Sequence, residues 1–119
     1  MALAPSRERL ISWEKNKMRY HKLVRDKIPE IIEKSGKRCV IRALDEGEYL
    51  DMLDAKLNEE LAEYQESKSM EEIADLLEVV HAVVKARGSS MEEVEKIRLQ
   101  KAEKRGAFEK RILLESVED

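Results

Sequence analysis

The sequence predicts an all-α fold, a helical bundle, from its composition and from its hydrophobic pattern. Of the 119 residues, 42% are hydrophobic and only 4% are aromatic, so a core must consist of aliphatic side chains, as in helical bundles. Four glycines and two prolines leave few positions that would interrupt a helix. Apolar residues recur every three or four positions over long stretches, which is the period of one helix face. Because a bundle of few helices buries little apolar surface alone, helix faces left apolar in the monomer would favour a homo-oligomer.

The expected domain organisation follows from where this pattern starts. Residues 1–17 are polar and only weakly helical in pattern, so we expect a peripheral extension there, followed by a single domain at 18–119. In the first patterned segment Asp26 suits a helix N-cap, Pro29 suits a first turn and Gly36 suits a helix end.

A short β-branched segment, Cys39–Arg42, interrupts the helical pattern. One interpretation is a strand that pairs with Phe108–Leu113 in a two-stranded patch beside the helices, although an isolated pair is marginal unless it packs on something. The single cysteine, Cys39, excludes an intrachain disulfide and fits a reducing cytoplasm. We interpret it as a small core residue and not as a nucleophile.

The longest predicted helix opens at Asp45 and ends near Ser67. Positions three apart share a helix face, so Glu60 and Glu63 form one carboxylate pair. Glu60 falls within the arc of the apolar stripe and Glu63 lies beside it, whereas Glu59 points to the far side. The stripe consists of Leu50, Leu53, Leu57, Leu61 and Tyr64.

The next helix is predicted to start at a capping box, Ser69 followed by Glu72, and to end at Arg87–Gly88. It is apolar over most of its circumference, which indicates a buried central helix. Glu72 and Asp75 share one face and form a second carboxylate pair. A cap needs only a side-chain acceptor, so Ser69 and Glu71 could cap the helix alone and leave Glu72 available for another role. The expected solvent-facing edge consists of Glu78, His81 and Lys85.

A final helix, capped by Ser90 and ended by Gly106, carries cations and an aromatic residue near its end. Cations beside an aromatic face suit the phosphates and base of a nucleotide, although a basic last turn also favours the helix dipole. Arg25, near the start of the chain, is either a further ligand-facing cation or part of a salt bridge at a helix entry. The basic-aromatic cluster consists of Lys101, Lys104, Arg105 and Phe108.

If the two carboxylate pairs pack together, four like charges meet in a partly desolvated place and need compensation. Mg²⁺ takes oxygen ligands and is commonly shared between protein carboxylates and substrate phosphates. This points to a Mg²⁺ site, with Mn²⁺ as a substitute, and to phosphate chemistry. The alternative is a solvated charged face, as in most Glu-rich helices. In the first interpretation the metal ligands are Glu60, Glu63, Glu72 and Asp75.

The charge balance and hydropathy argue against two classes of partner. With 23 Lys and Arg against 26 Asp and Glu, the net charge is −3, so we expect no binding to a nucleic acid polymer. The most apolar run, 73–84, is short and interrupted by charged residues, so we expect no membrane partner. Arg7, Glu8 and Arg9 occupy positions where a signal peptide would be apolar, which leads us to expect a cytoplasmic protein.

These motifs resemble those of the MazG-like all-α nucleoside triphosphate pyrophosphohydrolases, which are related to the phosphoribosyl-ATP pyrophosphohydrolases and the dimeric dUTPases. The EExxE and ExxD motifs of that family look like 59–63 and 72–75 here. Its K-x-x-R-R segment resembles 101–105, with Lys104 in place of the first arginine. The sequence KLVRDKIP at 22–29 resembles the start of a small-protein branch of the superfamily.

The resemblance covers 20–114 and implies a homodimer or dimer of dimers that hydrolyses a nucleoside triphosphate to a monophosphate and pyrophosphate, often to clear aberrant nucleotides. The four carboxylates would hold Mg²⁺, which activates the attacking water, and the basic cluster would neutralise the leaving pyrophosphate. Glu59 would assist proton removal or orient a ligand, alongside Glu60 and Glu63, and Phe108 would stack on the base. Two alternatives stay open: a phosphoribosyl-ATP pyrophosphohydrolase and a non-catalytic helical interaction module.

Overall fold

The computed structural model describes residues 21–119, which form four helices and contain no strand. The prediction of an all-α fold is therefore confirmed, whereas the extension expected at 1–17 lies outside the described residues. The chain divides into two compact units, Met1–Ile41 and Arg42–Asp119. The helices are α1 (Ile28–Lys34), α2 (Glu46–Ser67), α3 (Met70–Ala86) and α4 (Met91–Arg105).

In the first unit, α1 is short, and its N-cap lies one residue after the predicted N-cap. Lys27, not Asp26, occupies the N-cap position and makes no side-chain capping hydrogen bond. Pro29 lies in the first turn as predicted, because a missing N–H costs nothing there. The helix gives way at Ser35 to Gly36, whose φ of 91° suits a residue without Cβ.

The predicted two-stranded patch is wrong, since neither Cys39–Arg42 nor Phe108–Leu113 forms a strand. Val40 is 95% exposed and Phe108 is 96% exposed, so neither side chain packs on an apolar surface of the described residues. A strand pair without such a surface is marginal. Cys39 is half-buried, and its Sγ lies 3.8 Å from the carbonyl oxygen of Pro29, in keeping with a small space-filling residue.

The second unit opens with a well-capped helix. The Asp45 side chain accepts a hydrogen bond of 2.8 Å from the N–H of Glu48, as predicted for an N-cap. The two terminal nitrogens of the Arg42 guanidinium donate hydrogen bonds of 3.1 Å and 2.8 Å to the two carboxylate oxygens of Glu48. At the other end Lys68 adopts a left-handed conformation, φ 58°, and its N–H donates to the Tyr64 carbonyl.

Only two residues, Lys68 and Ser69, join α2 to α3, so the chain turns sharply and the two helices pack as an antiparallel pair. Arg87, just after α3, reaches back to Asp54 on α2 with an Nη2–Oδ2 distance of 3.3 Å. α4 begins after Ser90, whose Oγ accepts from the N–H of Glu93 as predicted, and it also packs on α3. α3 is thus the shared partner of α2 and α4.

The second unit has a very small interior. Among the described residues only two apolar side chains are buried, Leu53 on α2 and Val79 on α3. The prediction that α3 is a buried central helix is wrong for the single chain, because its Leu77 is 49% exposed. The predicted solvent-facing edge of α3 is confirmed: Glu78, His81 and Lys85 are all exposed.

No helix in the described part of the chain, 21–119, combines the length and the apolar character that crossing a bilayer requires.

Candidate metal centre

The third buried side chain is an acid. Glu60 is only 6% exposed and lies on the face of α2 that carries Leu53, as the apolar stripe predicted. Its Oε2 has no hydrogen-bond partner among the described residues. A buried carboxylate oxygen without a partner is costly, because desolvation disfavours its charge and nothing replaces the lost water. Such an atom marks a place where a ligand is expected to bind.

The helix packed against it supplies two more acids. Glu60, Glu72 and Asp75 each offer a carboxylate oxygen within 4.8 Å of the others. Glu72 is half-buried, and its Oε2 likewise lacks a hydrogen-bond partner among the described residues. The packing of α2 on α3 therefore brings the two predicted carboxylate pairs together, through one member of the first pair and both of the second.

A second group of acids shares Glu60. Glu59, Glu60 and Glu63 also place one carboxylate oxygen each within 4.8 Å of one another. The structure differs here from the expectation that Glu59 points to the far side of α2. Adjacent residues are about 100° apart on a helix, but the glutamate side chain is long enough for the Glu59 carboxylate to reach the face of Glu60. There the ammonium of Lys56 lies 3.5 Å from Glu59 Oε1.

The pKa of Glu60 is raised from its ordinary value of 4.5. Burial is the main cause, because removal from water disfavours the ionised form. The neighbouring Glu63 carboxyl raises the pKa further, and the ammonium of Lys56 opposes both effects. The surroundings of Glu60 thus disfavour its negative charge, which a bound proton or an added cation would offset.

The predicted capping box is only half formed, and the missing half matters for the site. The Oγ of Ser69 accepts a hydrogen bond of 3.3 Å from the N–H of Glu72, as an N-cap should. The Glu72 carboxylate does not return the bond to the Ser69 N–H, which has another acceptor. Glu72 is therefore not occupied as a cap, and its carboxylate lies with Glu60 and Asp75.

Lys56 is the residue of this site that the sequence analysis missed. Its ammonium lies 3.3 Å from Glu60 and 3.5 Å from Glu59. The spacing was a usable signal, since a lysine three and four residues before two glutamates lies on the same face of a helix.

The residues predicted to bind substrate are not part of the carboxylate groups. The three cations of the basic-aromatic cluster lie in the last two turns of α4, are exposed, and form no ion pair with another described residue. Gly106, with φ 84°, ends the helix between them and Phe108. Arg25 is exposed and belongs to the other unit of the chain.

Comparison with known proteins adds little to this geometry. The sequence matches no protein-family profile and no solved structure. It is similar to an uncharacterized protein of Mycolicibacterium smegmatis (strain ATCC 700084 / mc(2)155), with 61% identity over 41 residues. That match covers 34% of this chain and 42% of the relative, so the chain matches less than half of the relative's length.

Proposed function

We propose that the protein is a Mg²⁺-dependent nucleoside triphosphate pyrophosphohydrolase that acts in the cytoplasm and clears aberrant nucleotides. The observation that carries the proposal is the pair of buried, unpartnered carboxylate oxygens, one on Glu60 and one on Glu72, which belong to facing helices and to one group of acids. Their arrangement fits the motifs that resemble the MazG-like enzymes.

The acids suit a hard divalent cation. Carboxylate oxygens are the ligands that Mg²⁺ and Mn²⁺ accept, and a cation would compensate the two oxygens that lack partners. We assign the ligand set to Glu60, Glu63, Glu72 and Asp75. When bound there, Mg²⁺ would neutralise phosphate oxygens and make water a better nucleophile at neutral pH.

The remaining predicted residues have roles that follow from their charge and exposure. Glu59 is half-buried beside the ligands, so its carboxylate is suited to accept a proton from the attacking water or to orient Glu60. The exposed basic-aromatic cluster is suited to hold the β- and γ-phosphates and to stack on the base. Because Lys101, Lys104 and Arg105 form no ion pair with another described residue, substrate phosphate would not have to displace a described acid from them.

The protein would work as a homodimer or a dimer of dimers. A unit whose described part buries only Leu53 and Val79 among its apolar side chains has little hydrophobic stabilisation of its own. Large apolar residues are exposed on α3, on α4 and in the segment after α4. A second copy of the chain would cover these surfaces and enclose the acids more fully.

The test is pyrophosphate release from a panel of standard and modified nucleoside triphosphates and from phosphoribosyl-ATP. Wild type is compared with Glu60→Gln, which removes one ligand charge at constant shape, and with Glu78→Gln, a matched change on the exposed edge of α3. We expect release that needs Mg²⁺, stops with EDTA, is lost in Glu60→Gln and is retained in Glu78→Gln.

The other outcomes separate the alternatives. Turnover of phosphoribosyl-ATP alone would identify the related pyrophosphohydrolase, which uses the same acids with a different base pocket. No release from any nucleotide by a folded protein would overturn the proposal in favour of a helical interaction module. Equal release by wild type and Glu60→Gln would overturn the assignment of catalysis to this metal centre.

A further inference from the structure

Lys56 is a cation that contacts two acids of the candidate metal centre. It lies on α2, one turn before Glu60, and its Nζ is 3.3 Å from Glu60 Oε1 and 3.5 Å from Glu59 Oε1. Its side chain is only 19% exposed, whereas in four other ion pairs, Lys34–Glu30, Arg42–Glu48, Arg87–Asp54 and Arg98–Glu95, both side chains are at least 43% exposed. This contact is therefore much less screened by water than the others.

The ammonium compensates only part of the site. It contacts Oε1 of Glu60, while Oε2 of the same carboxylate and Oε2 of Glu72 stay buried without hydrogen-bond partners. The two overlapping groups of acids share Glu60 and together contain five carboxylates. A single lysine can hold such a group together but cannot neutralise it.

The two carboxylates that Lys56 contacts differ in burial, so its ammonium can shift from the deeper one to the shallower one. The side chain of Glu60 is 8% exposed, and that of Glu59 is 26% exposed. Lysine carries its charge on a flexible four-carbon stem, so its ammonium can leave the deeper carboxylate and keep the shallower one. A divalent cation that takes Glu60 would not have to expel Lys56 from the site.

We propose that Lys56 is a built-in counterion of the acids in the metal-free protein. When a divalent cation binds, the ammonium of Lys56 releases the Glu60 carboxylate to it. This competition lowers metal affinity. The proposal rests on the metal centre of the proposed function. Lys56 is a positioning residue in this role, because it acts through Glu59 and Glu60 and not on substrate.

The test measures metal binding and metal-free stability, not turnover. In Lys56→Met the competing charge is gone, so we expect Mn²⁺ and Mg²⁺ to bind roughly tenfold more tightly, as a charge at this distance from a ligand atom would dictate. The thermal midpoint in EDTA should fall, because the buried Glu60 carboxylate then loses its ion pair with the ammonium. Lys56→Arg keeps the charge and should restore the metal-free midpoint.

Lys96→Met is the matched control, since Lys96 is an exposed lysine within α4 that has no ion pair with another described residue. It should change neither metal affinity nor the midpoint. If Lys56→Met does not fold in EDTA, Mg²⁺ should restore its helical circular dichroism, and a variant that stays unfolded with Mg²⁺ would overturn the proposal.

Two further results separate this proposal from the proposed function. Wild type that binds Mn²⁺, together with a Lys56→Met variant of unchanged affinity and midpoint, would refute the counterion role and leave the metal centre standing. Absence of Mn²⁺ binding by wild type and by both Lys56 variants, measured by calorimetry, would refute the metal centre and the counterion role together.

Discussion

The backbone N–H of Ser69 donates a hydrogen bond of 3.2 Å to the Oγ of Ser67, across the two-residue turn between α2 and α3. In a complete capping box that N–H would bind the side chain of the third helical residue, here Glu72. Ser67 takes its place, and the Ser67 and Ser69 hydroxyls also contact each other at 3.1 Å. The Ser69 N–H is thus bound within the turn, and the Glu72 carboxylate lies with the other acids.

Loss of the Ser67 hydroxyl should therefore weaken the metal centre. In Ser67→Ala the Ser69 N–H lacks an acceptor, and Glu72 is the residue placed to replace it, so we expect Mg²⁺ affinity to fall by roughly fivefold, about 1 kcal/mol. Isothermal titration calorimetry measures this. Ser90→Ala is the control: it removes the cap of α4 at a cost of about 1 kcal/mol in unfolding free energy and should leave metal affinity unchanged.

The raised pKa of Glu60 predicts how metal-free stability depends on pH. The folded protein holds a proton on Glu60 more tightly than the unfolded chain does, so between the ordinary value of 4.5 and the raised pKa this residue makes the unfolding free energy fall as pH rises. The hydrogen bond from Arg42 lowers the pKa of Glu48, so this residue has the opposite effect on the unfolding free energy. Its stabilising contribution is present above the ordinary pKa and is lost as pH falls. The comparison of wild type with Glu60→Gln isolates the first effect.

In EDTA, Glu60→Gln should be more stable than wild type at pH 7, with the advantage shrinking as pH falls toward 4.5. Thermal unfolding followed by circular dichroism gives both curves. A constant difference across this range, or a less stable variant at pH 7, would show that Glu60 does not carry an unfavourable charge in the folded protein. Mg²⁺ should raise the midpoint of wild type and not that of the variant.

The exposed apolar surface of α3 predicts assembly. Replacement of the half-exposed Leu77 by glutamate should place a charge in the contact with a second copy, so we expect a shift to monomer and a loss of about 2 kcal/mol or more in unfolding free energy. Size-exclusion chromatography with light scattering reports the mass. His81→Glu, on the exposed edge of the same helix, should leave the oligomer intact. A monomeric wild type at all concentrations would contradict the prediction.

The basic cluster predicts a separation of substrate binding from metal binding. Lys101→Ala removes an exposed cation far along α4 from its capped start, so we expect KM for the triphosphate to rise about tenfold while Mg²⁺ affinity stays unchanged. Lys96→Ala is a matched control one turn earlier. Steady-state pyrophosphate release gives KM, and an unchanged value in Lys101→Ala would remove this residue from the substrate site.

Much of the helical framework could be predicted from local sequence. The caps at Asp45, Ser69 and Ser90 are fixed by hydrogen bonds to residues three positions on, and local patterns capture such bonds well. The predictions failed where the outcome depends on what packs nearby. The strand at 39–42 had β-branched residues but no surface to cover, and Lys27 replaced Asp26 as N-cap because α1 starts one residue later.

The sequence by itself determined the all-α class, the three capped helix starts, and the placement of Glu60 on the apolar face of α2, because these depend on helical period and on contacts within one turn. Only the tertiary structure decided that Glu60 meets Glu72 and Asp75, and that one carboxylate oxygen on Glu60 and one on Glu72 are buried without a hydrogen-bond partner among the described residues. Those facts depend on how α2 packs on α3 and on which charges burial leaves uncompensated, and neither is encoded in the spacing of residues along one helix.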